Sequence, residues 1–130
     1  MRLADTSFWV ALAARRDRNH PDARALWSTQ AEPVVVTNHV AGETWTFLRR
    51  RAGHVVAVQA LSVFRSTRVN LVHIDERDEG EAWKWLQRRD EREFSFVDAT
   101  SFVLMRRLRI REALAFDGDF TSAGFTELRP

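Results

Sequence analysis

Between Ser95 and Met105 the chain reads Ser-Phe-Val-Asp-Ala-Thr-Ser-Phe-Val-Leu-Met. The run is apolar on nearly every side, which suits a helix buried in the middle of a domain, yet Asp98 places a carboxylate at its start. A charge beside a buried segment has to be paired, hydrogen-bonded or bound to a cation, because a bare one costs more than a small fold can offset. Whatever fold the chain adopts must therefore bring compensating groups to the beginning of this helix.

The segments available to do so alternate in type. Arg2-Leu3-Ala4 is a short strand that stops at Asp5-Thr6-Ser7, where Asp5 or Thr6 can cap a helix with Phe8, Trp9, Leu12 and Ala13 on its apolar side. Taken alone, Asp5 reads as a helix cap. A second helix runs from His20 to about Gln30, with Ala23, Leu26 and Trp27 at helical spacing. Val34-Val35-Val36 is β-branched and unalternating, the pattern of a strand buried on both faces. Thr37 or Asn38 then caps a third helix that carries Val40, Glu43, Trp45, Phe47 and Leu48 and ends near Gly53. Residues 54–66 read as a fourth, with Ala57, Leu61 and Phe64 at core spacing, and four further valines predict burial on more than one side. Residues 69–74 have strand character, and the acids of 75–81 open a fifth helix as cap and solvent-facing charges. The Asp98 helix ends at Arg109, residues 112–116 form a last apolar strand running into Asp117-Gly118-Asp119, and residues 126–128 add an edge strand.

Strands alternating with helices imply an α/β fold, a three-layer α/β/α arrangement around a mostly parallel sheet of four to five strands. At 130 residues and 45% hydrophobic content, one domain spanning 1–130 is expected. No stretch approaches the roughly 20 apolar residues of a membrane span, and no basic leader precedes an apolar run, so a cytoplasmic location is expected. Cysteine is absent, which removes thiol nucleophiles and thiolate metal sites. A pI near 10.3 sits oddly with a formal charge of +2. It reflects the lack of Tyr and Cys and the single lysine, Lys84, rather than a strong basic excess. The placement of arginine says more: Arg49, Arg50 and Arg51 are contiguous, and Arg106, Arg107, Arg109 and Arg111 follow the Asp98 helix. Such clusters either grip phosphates or form solvated helix faces.

In a parallel sheet of this kind Asp5 and Asp117 both follow strands, while Glu43 and Asp98 lie early in helices, so the four can meet at one sheet edge. Carboxylates gathered in one place repel, and a divalent cation makes their company tolerable; an all-oxygen set favours Mg²⁺ or Mn²⁺ over Zn²⁺. Such a site suits metal-assisted phosphodiester hydrolysis.

The order Leu3-Ala4-Asp5-Thr6-Ser7, Glu43 early in a helix, Phe96-Val97-Asp98-Ala99, then Ala115-Phe116-Asp117-Gly118-Asp119-Phe120 resembles the PIN domain, specifically the VapC toxins of VapBC toxin-antitoxin systems. The match covers essentially the whole chain. It implies a PIN-like fold and a Mg²⁺- or Mn²⁺-dependent endoribonuclease acting on tRNA, rRNA or mRNA, a homodimer, and inhibition by a VapB-like antitoxin. Carried over, Asp5 and Asp98 are direct metal ligands, Glu43 and Asp117 complete the catalytic set, and Asp119 shares or replaces the role of Asp117. Thr6 or Ser7 matches a small polar residue beside the first acid. Arg49, Arg50 and Arg106 are candidate RNA contacts, and His39 is an ordinary helix residue. The implied route is in-line hydrolysis that leaves a 5′-phosphate and a 3′-hydroxyl, since no His pair offers itself for attack by a 2′-hydroxyl.

Two other readings use the same residues. A receiver-like phosphoacceptor domain also gathers acids at strand ends, but needs a lysine after a late strand, and Lys84 sits mid-helix between Trp83 and Trp85. A non-catalytic interaction module would use the acids to hold the fold and the five tryptophans for core and contact surfaces.

Overall fold

The computed structural model describes residues 1–130. In chain order the elements are β1 (Arg2–Ala4), α1 (Thr6–Ala13), α2 (His20–Thr29), β2 (Val34–Thr37), α3 (Asn38–Arg51), α4 (His54–Phe64), β3 (Val69–Val72), α5 (Glu76–Gln87), α6 (Phe96–Leu108), β4 (Glu112–Leu114), α7 (Asp119–Ser122) and β5 (Thr126–Glu127). The five strands form one sheet in the order β3-β2-β1-β4-β5, and every pairing is parallel. No helix is long and apolar enough to cross a membrane.

Side chains of a strand alternate between faces, and the short strands here use that alternation to feed two cores. Leu3, Val35, Ala113 and Ala115 point to the side covered by α5, α6 and α7, where they meet Trp85, Phe102, Met105 and Phe120. Ala4, Val34, Val36 and Leu114 point to the opposite side and meet Phe8, Trp9, Leu26, Val40 and Phe64. The unalternating valine run is thus explained: β2 is buried on both faces along its whole length. A third, smaller cluster of Val10, Leu48, Ala57 and Ala60 joins α1, α3 and α4.

Two expectations need correction. On α4 the packed stripe is Ala57, Ala60 and Phe64, whereas Val55, Val58 and Leu61 are 69%, 39% and 40% exposed. One side of this helix meets the body of the protein, and Leu61 lies a step of about 100° beyond Ala60, outside that stripe. On α5 the acids are not all solvent-facing. Asp75 caps the helix by accepting from the Asp78 backbone N–H at 2.9 Å. Asp78 itself is only 3% exposed and takes both a 3.1 Å and a 2.8 Å hydrogen bond from the Arg107 guanidinium. That bidentate pair ties α5 to α6 and consumes one of the arginines that otherwise reads as an RNA contact.

The strand order fixes where a ligand can sit. From β1 the chain builds outward through β2 and β3, then returns to the other side of β1 to lay down β4 and β5. The connections therefore diverge between β1 and β4, and in open parallel sheets the crevice beyond the strand C-termini at such a point is the binding site. Asp5 stands at the end of β1, and Asp117 lies three residues beyond β4.

Candidate active site

The cleft is built from the ends of these elements. Asp5 is the N-cap of α1, and its Oδ2 accepts from the Ser7 backbone N–H at 3.2 Å and from the Ser7 hydroxyl at 2.8 Å. The same hydroxyl oxygen accepts from the Phe116 N–H at 3.0 Å, while the Asp5 N–H donates to the Leu114 carbonyl at 3.0 Å. Ser7 therefore couples the ends of β1 and β4 as well as orienting the first acid. Asp5 thus caps the helix and also lines the cleft with the other acids, because the cap occupies only one carboxylate oxygen. Ser7→Ala should strand the Phe116 N–H and remove a donor to Asp5, with an expected loss of about 1–2 kcal/mol in urea unfolding. Because that donor favours the charged carboxylate, the Asp5 titration in metal-free protein, followed by carboxyl NMR, should also move higher.

Asp98 is held in the same manner. Ser95 caps α6, its hydroxyl accepting from the Asp98 N–H at 3.0 Å while Asp98 Oδ2 accepts from the Ser95 N–H at 3.1 Å. This capping box fixes the carboxylate in the first helical turn, again through one oxygen. Gly118, at φ +83°, turns the chain after Phe116 so that Asp117 and Asp119 flank the bend. Two supports shape that turn: Glu127 accepts from the Gly118 and Thr121 N–H groups, and Arg92 reaches across to the Asp119 carboxylate and the Asp117 carbonyl. Carboxylate oxygens of Asp98, Asp117 and Asp119 consequently lie within 4.8 Å of one another. Glu43 comes from the side, on α3, where Oε2 accepts from the Thr6 hydroxyl at 2.8 Å.

The electrostatics are those of crowded, partly dehydrated anions. Burial and then the nearby Asp117 push Asp5 up to about 8, against the opposing hydrogen bonds from Ser7. Asp98 rises to about 6, again chiefly through burial, with Asp119 and Asp117 adding to it. Asp117 is raised by burial and by Asp119 and Glu127. Of the 14 residues lining the cleft of about 500 Å³, Asp5, Asp17, Glu43, Glu93, Asp98, Asp117 and Asp119 are acids and none is a cation or a histidine. A larger, shallower concavity of about 1250 Å³ lies between α1 and α2, lined by Arg15, Arg24 and Arg68. It has no acid, so the carboxylates that could hold a cation all lie in the smaller cleft. An all-oxygen cluster whose repulsion Arg92 relieves only at Asp119, with free oxygens on Asp5 and Asp98, fits a hard divalent cation.

The structure thus brings together Asp5, Thr6, Ser7, Glu43, Asp98, Asp117 and Asp119 around one cleft. Asp5 lies in the same cleft but outside the tightest triplet of oxygens. Arg50 lines the adjoining groove. Arg106 does not reach the cleft: it lies two turns along α6 from Asp98, over the Phe125 ring at 5.8 Å, and donates to the Ala123 carbonyl. Arg49, on α3, lines neither the cleft nor the groove. Contributors not read from the sequence are Ser95, Arg92, Glu127, and the Asp17 and Asn19 rim. Ser95 was accessible through its capping-box spacing to Asp98; the others depend on contacts between distant segments.

The comparisons with known proteins agree with this geometry. The family model described as "PIN domain" matches residues 2–126. The chain is 52% identical over 130 residues to 23S rRNA-specific endonuclease VapC20 from Mycobacterium tuberculosis, in each of two strains, covering 100% of this chain and 99% of the relative. The crystal structure of Mycobacterium tuberculosis VapC20, described as a sarcin-ricin loop cleaving toxin, superposes with a TM-score of 0.97 at 51% identity, covering 100% of both chains.

Proposed function

The chain belongs to the PIN-domain family, among its VapC toxins, and on that footing we propose that it is a metal-dependent endoribonuclease toxin, one catalytic domain over residues 1–130, restrained by a VapB-like antitoxin. The observation that carries this reading is the convergence of Asp5, Asp98, Asp117 and Asp119 beyond the strand ends, in a cleft with no cation of its own. The proposed substrate is the sarcin-ricin loop of 23S rRNA, the target named for the relatives that match this chain end to end. A homodimer is the proposed assembly.

Asp98, Asp117 and Asp119, with Asp5 behind them, are the residues that would hold Mg²⁺ or Mn²⁺. When bound, the cation supplies charge neutralisation at the phosphodiester and acidifies water. The protein's own groups do the rest. The Ser7 hydroxyl and the Ser95 backbone N–H fix the orientation of the Asp5 and Asp98 carboxylates, so these need no reorganisation when substrate arrives. Arg92 engages one Asp119 oxygen and the Asp119 N–H one Asp117 oxygen, so each acid at the turn is held through a single oxygen. Glu43, exposed and hydrogen-bonded by the Thr6 hydroxyl, would accept a proton from an attacking water in this reading. No histidine lines the cleft, so the imidazole pair that a 2′-hydroxyl attack would use is missing there.

The test is incubation of the purified chain with 23S rRNA in Mn²⁺ or Mg²⁺ and in EDTA, followed by mapping of both new ends. One cut in the sarcin-ricin loop with a 5′-phosphate and a 3′-hydroxyl, absent in EDTA, is expected. A 2′,3′-cyclic phosphate, or cleavage indifferent to EDTA, would overturn the mechanism.

A further inference from the structure

We infer that Phe47 is a stacking platform for a nucleobase flanking the scissile phosphodiester, with Arg50 and Arg51 holding the RNA backbone just beyond it; the inference rests on the ribonuclease reading above and deepens it. His39, Glu43, Phe47 and Arg51 are spaced four residues apart on α3 and so share one face, each about 6 Å further along the helix. Glu43 belongs to the acid cleft through its bond with Thr6. Phe47, one turn on, lines that cleft and also a second groove of about 570 Å³ that contains Arg50 and Arg51. The two concavities meet at Glu43 and Phe47, so a strand leaving the carboxylates along α3 passes over the phenyl ring before it reaches the arginines.

Phe47 has no structural task that explains it. Its α3 neighbour Leu48 is fully buried, and Trp45 packs on the cluster formed with α1 and α4, but Phe47 belongs to none of the three apolar clusters and is 38% exposed. Its ring already accepts a planar cation, the Arg51 guanidinium, at 5.1 Å from its centroid. Neither Arg50 nor Arg51 has a carboxylate partner. A cleft lined by seven carboxylates repels a polyanion everywhere except where a cation is bound, so the affinity for RNA has to come from its margin. An aromatic face followed by arginines that no carboxylate holds is the chemistry that binds a single-stranded nucleotide: the ring takes the base in place of the Arg51 guanidinium without regard to its identity, and the guanidinium takes the phosphate.

The experiment uses the full-length protein with a synthetic hairpin carrying the sarcin-ricin loop, and with derivatives in which each nucleotide next to the cut is made abasic in turn. Phe47→Ala should lower cleavage of the intact hairpin by about tenfold to a hundredfold, Phe47→Trp should restore it, and the penalty should disappear on one abasic derivative. Arg51→Ala should weaken binding and lower the salt-dependence slope by about one. The inference is overturned if Phe47→Ala cuts like wild type, if its defect is the same on every abasic hairpin, or if sedimentation shows that the variant merely changes oligomeric state. Failure of the wild-type protein to cut any of the hairpins in Mn²⁺ would instead sink the ribonuclease reading, and this inference with it.

Discussion

Asp98→Asn is expected to cut RNA at least roughly a thousandfold more slowly than wild type, while the metal-free variant is more stable than wild type at neutral pH. The two effects have one cause. The carboxylate is held by a capping box on a buried helix beside Asp117 and Asp119, so its ionised form is disfavoured until a cation arrives. An asparagine oxygen can still accept from the Ser95 N–H, so the cap survives while the charge is lost. The pH dependence follows from linkage. Near or below pH 3.8 the carboxyl is protonated in both folded and unfolded chains, and its contribution to stability is fully present. As pH rises towards about 6, the unfolded chain releases the proton while the fold retains it, and that contribution is lost. The advantage of Asp98→Asn in EDTA should therefore be near zero at pH 4 and reach about 1–3 kcal/mol above pH 6. For Asp5→Asn the window is wider, running up to about 8. Urea unfolding in EDTA across this range measures it, and an Asp98→Asn protein less stable than wild type at pH 7.5 contradicts it.

Those two carboxylates were visible in the sequence for a physical reason. Asp5 caps α1 and Asp98 is the acid of the capping box that opens α6, so an acid at either position already has a local reason to be there. The parallel sheet was equally legible, because Val34-Val35-Val36 buries both faces and shows it without any partner. What could not be read depends on which surface a helix turns towards the body. Val55 and Val58 of α4 look like core by composition but face outward, since small Ala57 and Ala60 make the close contact while Val56 and Val63 pack at its margins. Arg107 looks like a phosphate ligand until Asp78, 29 residues away, is seen beneath it. The hold on Asp119 comes from Arg92, whose approach spans 27 residues and leaves no periodic trace. Phe47 read simply as one residue of the third helix, and its position lining the cleft follows from how α3 packs beside the sheet.

A divalent cation should reverse the pH behaviour of the wild-type protein. In its absence the cluster is a liability that grows as the acids ionise, with Asp5 still holding its proton near neutrality. Any ligand that binds only the folded state stabilises it by mass action, about 2.7 kcal/mol at a hundredfold excess over its dissociation constant, which for a domain of this size is a thermal shift on the order of 10 °C. Mn²⁺ or Mg²⁺ at pH 7.5 should therefore raise the unfolding temperature by that order in wild type and by little or nothing in Asp98→Asn. Binding requires deprotonated ligands, so it must expel the protons that Asp5 and Asp98 retain, and cation affinity should climb as pH rises from 6 to 8. Calorimetry in two buffers of different ionisation enthalpy detects the released proton directly. A thermal shift of equal size in Asp98→Asn, or an affinity flat across that range, would mean that the cation sits elsewhere and that these acids serve the fold alone.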